Sequence, residues 1–324
     1  MVGTVFDNSH RFRFVVGRLS QWMVRVNRTR RRWLLAGALL LVSAHCFAAA
    51  APHPSSSWTL HYRPLRIVNG SPVVVSVTTP KPVTDVTGRW LGHELAFSFD
   101  RRTKTWVALA GASLETKSGS YPMELRATTS NGRALSFAKQ IPVQRRRYPR
   151  VVLKVPGRYT APSPDEQHEI VEDKKIKEEA FKTLSSEREW QGSFSAPVNA
   201  QISEVFGVQR AFNGSVKATH QGLDFRVHAG TPVAAANSGK VILARPLFFE
   251  GNCVVIDHGQ GLLTLYLHLS KFLVGEGDEV KKGEQIGLSG GTGRATGPHL
   301  HLAVRWQGEY LDPQTLLSLR LPGE

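Results

Sequence analysis

The sequence predicts a mostly β protein: an immunoglobulin-like β-sandwich, a charged linker helix and a C-terminal antiparallel β domain. Three observations predict it. Short runs of β-branched and aromatic residues, punctuated by Pro, Gly and Asn, recur from residue 57 to 145. A stretch rich in Glu, Lys and Ala, opened by a helix-start signature, follows near residue 163. Short apolar runs separated by Gly-rich turns then resume from 193 to 318. Apolar content of 41% and charged content of 21% are ordinary for a globular chain, which excludes wholesale disorder. Eighteen Pro and 29 Gly are too few for a collagen-like or low-complexity chain. The expected organisation is a leader over 1–50, the sandwich over 51–155, the linker helix over 156–192 and the last domain over 193–324.

The leader reads as an address. Arg28-Thr-Arg-Arg-Arg32 precedes Trp33–Phe47, a run of small and apolar residues broken only by Ser43 and His45, and then Ala48–Ala51 and Pro52. A basic segment, a short apolar segment and a run of small residues make a secretory signal peptide. The run is short for a membrane span of about 20 residues, so cleavage is favoured over retention as a membrane anchor. Met23 offers a second start that would leave a signal of ordinary length. Cys46 follows His45, where a lipid-attachment signal wants Gly or Ala. With Cys253 it makes two cysteines, which excludes a disulfide framework and a Cys-rich zinc site.

Net charge is +15, from 41 Lys+Arg against 26 Asp+Glu, and favours anionic partners. Residues 1–32 alone hold eight Arg and one Asp, about half the excess. No nucleic-acid motif accompanies the charge, so nucleic acid is not expected as a partner.

In the sandwich region the expected strands are Thr59–Tyr62, Val73–Val77, Glu94–Phe99, Trp106–Leu109, Met123–Thr128 and Leu135–Lys139, with Asn131-Gly132 as a hairpin turn. No chemistry stands out there. In the linker, Ser163 caps, Pro164 suits the first turn and Glu166 completes a capping box. The helix is expected to run to Glu189, with Val171, Ala180, Phe181 and Leu184 as its apolar stripe. His168 and Glu172 lie four apart but have no third ligand nearby, so a solvated face is the expectation.

In the last domain the expected strands are Thr231–Ala236, Gly239–Ala244, Cys253–Asp257, Leu262–Leu267, Gln285–Ser289 and His299–Arg305. Three histidine groups stand out: His220-Gln-Gly-Leu-Asp224, Tyr266-Leu-His268-Leu-Ser270 and Gly297-Pro-His299-Leu-His301-Leu302. Alternate strand residues share a face, so His299 and His301 would point one way and Leu300 and Leu302 into the core. His220, Gly222 and Asp224 would likewise share a face, with Gly222 leaving room for close approach. A hydrolytic zinc site needs three protein ligands and one open position, with a base and an oxyanion donor beside it. Each spacing alone would arise by chance roughly 0.3–0.4 times in such a chain. Their conjunction in one β-rich domain carries the weight. Of the remaining candidates, His258 and His228 read as turn and loop residues, Cys253 as a small buried hydrophobe and Tyr266 as core or groove lining. Arg294 either shapes its loop or contacts a substrate carboxylate.

These segments, with Gly230-Thr-Pro-Val-Ala-Ala, Gly239-Lys-Val, Gly251-Asn-Cys-Val-Val-Ile-Asp-His-Gly, Val280-Lys-Lys-Gly-Glu-Gln-Ile-Gly and Gly290-Gly-Thr-Gly-Arg-Ala-Thr-Gly-Pro-His-Leu-His, resemble the catalytic domain of lysostaphin-type (LytM-domain) zinc metallopeptidases. The resemblance spans about Phe194–Leu317, and the layout is similar to Gram-negative cell-wall members. It implies a zinc-dependent endopeptidase acting on peptidoglycan stem peptides or cross-links, in the periplasm or cell envelope. It implies His220, Asp224 and His301 as zinc ligands, His268 as general base and His299 as the second non-ligand histidine. Peptidoglycan is the implied partner, with membrane attachment or other cell-wall proteins compatible with the layout. The competing expectation is a non-catalytic LytM-type activator of another hydrolase, against which the complete five-residue set argues.

Overall fold

A computed structural model describes residues 57–182, 185–214 and 216–321. The leader with its cleavage or anchoring, Cys46 and Leu184 of the expected stripe lie outside the described residues. Among the described residues no helix is long and apolar enough to cross a membrane.

Residues 59–143 form two four-stranded antiparallel sheets. The first holds β1 (Thr59–Arg63), β2 (Pro72–Thr78), β6 (Thr105–Gly111) and β5 (Ser98–Asp100), in the order β1-β2-β6-β5. The second holds β4 (His93–Ala96), β3 (Val83–Trp90), β7 (Gly119–Thr129) and β8 (Ala134–Val143), in the order β4-β3-β7-β8. On β7, Met123, Leu125 and Ala127 point inward while Glu124 and Arg126 face water, the alternation of a half-buried strand. Leu60, Val73, Val75 and Val77 of one sheet meet Trp90, Leu95, Leu125 and Ile141 of the other in one core, so the expected sandwich is present. Asn131-Gly132 makes the β7–β8 turn, with Gly132 at φ +79 and its N–H donating to Thr129 O at 2.8 Å.

Two expectations change. Glu94–Phe99 is not one strand: it breaks at Phe97, and the chain passes from the second sheet (β4) to the first (β5). Val83–Trp90 was not expected as a strand, because only Val86, Gly88 and Trp90 mark its buried side among Thr, Asp and Arg.

The capping box forms as expected. Glu166 N donates to Ser163 Oγ at 3.3 Å and Ser163 N to Glu166 Oε2 at 2.8 Å. The helix α1 (Pro164–Ala180) stops well short of Glu189. Val171 is 51% exposed rather than on the apolar stripe. Ala180 and Phe181 lie on that face as expected, joined by Ile176, against Leu243, Leu247, Cys253 and Leu265. Asp173 is buried and accepts a hydrogen bond from Phe248 N at 2.6 Å. The helix is therefore clamped to the sheet that follows it. His168 is exposed, and Glu172 pairs with Lys175 at 2.7 Å, as a solvated face requires.

The C-terminal region is a ten-stranded sheet. Its main path runs β10 (Ile202–Glu204), β13 (Gly222–Phe225), β20 (Leu300–Trp306), β17 (Leu262–Phe272), β16 (Gly251–Asp257), β15 (Gly239–Leu247) and β18 (Glu279–Val280). β14 (Pro232–Ala234) pairs with β19 (Gln285–Ser289), which also pairs with β17, and β21 (Glu309–Leu311) pairs with β20. A short helix α2 (Pro313–Ser318) is capped by Asp312, which accepts from Gln314 N. A separate three-stranded sheet joins the two halves: β9 (Arg150–Leu153) lies parallel to β11 (Gln209–Phe212), which pairs with β12 (Val216–Thr219). Asp312 N also donates to Gly70 O at 2.7 Å, and Gln307 Nε2 to Glu94 O at 2.7 Å.

His258 is a structural residue, fully buried. Its Nδ1 lies 2.7 Å from Ser238 O and its Nε2 2.7 Å from Thr264 Oγ1. Burial pushes its pKa down to about 4, against a smaller opposing effect of the Ser238 carbonyl. The unfolded chain titrates near 6.5 and so binds a proton that the folded chain refuses between those values. This contribution is complete above about pH 6.5 and is lost as the pH falls toward 4, about 3 kcal/mol in all. Denaturant unfolding of a His258→Asn chain should show a shallower loss of stability across this window. Equal slopes in the two chains would show that another group is responsible.

Candidate metal centre

β13 and β20 run antiparallel with Asp224 directly opposite His301. His220 lies just before β13, held by its N–H donating to Val208 O at 2.8 Å. Gly222 sits between the two expected ligands of this segment, and a methyl group there would collide with the His301 ring. The glycine is what lets that imidazole lie across the neighbouring strand.

Three atoms converge. His220 Nε2 is 3.0 Å and His301 Nδ1 is 2.7 Å from Asp224 Oδ1, and the two nitrogens are 3.1 Å apart. All three residues are buried, and among the described residues they are the one trio of His, Cys, Asp or Glu close enough to share an ion. His220 Nδ1 lies 2.8 Å from Val205 O, to which it donates, so Nε2 turns its lone pair inward. Tetrahedral zinc with ligands at about 2.0–2.1 Å sets neighbouring donor atoms about 3.3 Å apart. The observed edges of 2.7, 3.0 and 3.1 Å are somewhat shorter than that, so a small outward shift of the Asp224 oxygen would admit the ion, and two imidazoles with one carboxylate suit a borderline ion. The residues present fit zinc.

A supporting layer surrounds the trio. Arg210 of β11 donates from Nη2 to Asp224 Oδ2 at 2.7 Å and from Nε to Glu204 Oε2 at 2.6 Å. That same Glu204 oxygen lies 3.2 Å from His220 Nδ1. Both Asp224 oxygens are thus fixed, as outer partners of ligating groups usually require. Burial would raise the Asp224 pKa, but the close approach of His220 and His301 outweighs it and holds the carboxyl well below the usual range. Burial pushes His301 down to about 4, against the opposing pull of Asp224.

His268 and His299 stand beside the trio. Their ring centroids are 4.7 Å apart, His268 is 6.0 Å from His301, and His299 Nε2 is 3.9 Å from Asp224 Oδ1. His268 has φ +63 inside β17, next to a register shift in that strand's pairing with β16. A left-handed residue is costly for a β-branched or bulky side chain and clusters at functional sites. Here it turns the ring out of the strand's alternation. His268 Nδ1 donates to Thr292 O at 2.8 Å. Burial, with His299 and His301 nearby, pushes His268 down to about 3, so it is neutral near pH 7. All five residues expected at the site come together.

The other candidates separate. Tyr266 is core: fully buried, with its hydroxyl accepting from Ala236 N at 2.7 Å and its pKa pushed up to about 12 by burial. Cys253 is buried and unpaired, and burial raises its thiol pKa. His228 is an exposed loop residue whose carbonyl accepts from Thr231 and Ser289. Arg294 borders the centre between two aromatic rings. Arg210, Glu204 and the Thr292 carbonyl were not anticipated, because they reach the site from separate segments and their spacing to the histidines carries no pattern.

The peptidase family M23 model matches residues 218–313. The peptidoglycan DD-endopeptidase ShyA of Vibrio cholerae is 54% identical over 105 residues, 32% of this chain and 24% of that protein. The DD-carboxypeptidase/endopeptidase Mpg of Neisseria meningitidis is 40% identical over 125 residues, 39% of this chain and 28% of that protein. The chain therefore spans about a quarter of the length of these curated relatives. The crystal structure of a candidate peptidase M23 from Pseudomonas aeruginosa superposes with a TM-score of 0.60 at 28% identity, covering 78% of this chain and 95% of that one. Residues 218–313, which hold all five histidine and aspartate side chains of the centre, are a peptidase family M23 domain.

Proposed function

We propose that the chain is a zinc-dependent endopeptidase that hydrolyses peptide bonds in peptidoglycan stem peptides or cross-links, acting in the periplasm or cell envelope. The convergence of His220, Asp224 and His301 on one point, with His268 and His299 beside it, carries the reading. The similarity to relatives named as peptidoglycan endopeptidases supports the substrate class. The proposed modules are the sandwich over 51–155, the helix over 156–192 and the peptidase domain over 193–324, with β9 pairing across the last boundary.

His220 Nε2, Asp224 Oδ1 and His301 Nδ1 would hold the ion. When bound, zinc supplies a Lewis acid for the scissile carbonyl and a water with a pKa near 7. Arg210 keeps the Asp224 carboxylate oriented through its second oxygen. His268, with Nδ1–H committed to Thr292 O, presents Nε2 as the acceptor for the proton lost by the attacking water. Its buried setting disfavours the imidazolium, which then readily passes the proton to the leaving amine. His299 has Nδ1–H committed to Gly297 O at 2.8 Å. Its Nε2 orients the water when the ring is neutral and donates to the developing oxyanion when the ring is charged.

His220→Ala and Asp224→Ala should lose zinc by metal analysis, whereas His268→Ala should keep it and release fragments from isolated sacculi at least about 100-fold more slowly. A His268→Ala chain with full activity would refute the base assignment. Gly222→Ala, by displacing the His301 ring, should lower zinc affinity roughly 10-fold or more in a chelator competition. Unchanged affinity would show that the close packing of Gly222 on His301 is incidental.

A further inference from the structure

Arg294 stands apart among the charged groups at the centre. Its guanidinium carbon lies 4.5 Å from the ring centroids of both Phe212 and Phe249. Its backbone N–H donates to Phe249 O at 2.9 Å, which fixes the loop to one of those rings. Among the described residues, no hydrogen bond or ion pair engages the guanidinium itself. Its charged neighbours are committed elsewhere: Arg210 to Glu204 and Asp224, and Glu250 to Lys177. Arg294 lines both cavities that meet at His268, one containing His220 and His301, the other Asp224, His299 and Arg226. Burial lowers its pKa, the mark of a cation partly stripped of water.

Rings near a guanidinium engage its π-face by cation–π contact and leave the in-plane N–H groups available. A partly buried cation with open donors is unfavourable until an anion completes it. The matching anion is a carboxylate, which meets a guanidinium edge with two parallel hydrogen bonds.

We propose that Arg294 is a specificity-determining residue that binds a free carboxylate of the peptide substrate beside the scissile amide. Phe212 and Phe249 hold its fork, and the exposed Arg226 lies at the rim of the same cavity. The inference rests on the peptidase reading of the site. Two carboxylates of a stem peptide share this chemistry: the C-terminal one and the branch carboxylate of a γ-linked acidic residue.

The test is binding of dye-labelled L-Ala-γ-D-Glu-L-Lys-D-Ala-D-Ala to the full-length, zinc-loaded His268→Ala chain, followed by anisotropy. Three forms are compared: both carboxylates free, the terminal one amidated, and the branch one amidated. Amidating the recognised carboxylate should weaken binding roughly 10–100-fold. Adding Arg294→Gln should weaken the free form by a similar factor and leave free and amidated forms alike, while Arg294→Lys retains part of the preference. Which amidation matters identifies the source. Zinc content shows that each variant is folded. If Arg294→Gln weakens all three forms equally, or none, the proposal is overturned. Hydrolysis by the unsubstituted chain is scored separately. Carboxylate-dependent binding through Arg294 without fragment release supports the subsite and defeats the endopeptidase reading. Release that is indifferent to amidation and to Arg294 defeats the subsite alone.

Discussion

The candidate centre depends on one antiparallel pairing, that of β13 with β20. Because Asp224 lies opposite His301, a carboxylate oxygen and an imidazole nitrogen come within hydrogen-bond distance with no loop between them. A one-residue slip would send either side chain to the other face. The slip is opposed by Leu223, Phe225, Leu300 and Leu302, which are buried in the core on the opposite face. The hydrophobic effect that fixes the register thus also fixes the approach of Asp224 to His301. At Gly222 packing gives way to the cluster, since the His301 ring occupies the space a side chain would fill.

Electrostatics adds a second layer. A buried carboxylate between two imidazoles would be unfavourable without a countercharge. Arg210 supplies it, and Glu204 in turn balances Arg210. The result is an alternation of charge from Asp224 on β13 through Arg210 on β11 to Glu204 on β10, which returns to His220. His268 belongs to a different regime: it is buried, faces two other histidines and has only a carbonyl as its fixed partner. The two environments separate residues suited to hold an ion from a residue suited to exchange a proton.

The parts of this arrangement legible in the sequence were those governed by short-range periodicity. The His220–Asp224 interval with its central glycine and the Ser163–Glu166 capping box follow from local geometry, and the structure brings each pair together, while His299 lies just before β20 rather than in it. Illegible parts fall into two kinds. Val83–Trp90 and the break at Phe97 are polar or continuous in sequence, and their strand assignments come from sheets assembled over distance. Arg210, Glu204 and Thr292 act through contacts between separate segments, which no pattern along the chain encodes. The linker stripe is found at Ala180 and Phe181 but not at Val171, for a related reason: Val171 and Ile176 are equally apolar, and only the position of the C-terminal sheet decides which of them is covered.

The parallel pairing of β9 with β11 has a consequence for where the C-terminal region can be cut free. β11 carries Arg210, and its two edges are occupied by β12 and β9. A piece beginning at residue 193 lacks β9 and exposes the β11 edge, with its row of unpaired N–H and C=O groups, beside the cavity walls formed by Phe212 and Arg210. Such an edge pairs readily with any extended chain, including another copy. The smallest piece that keeps the site's surroundings intact therefore begins before Arg150, between β8 and β9, some seventy residues ahead of the family match.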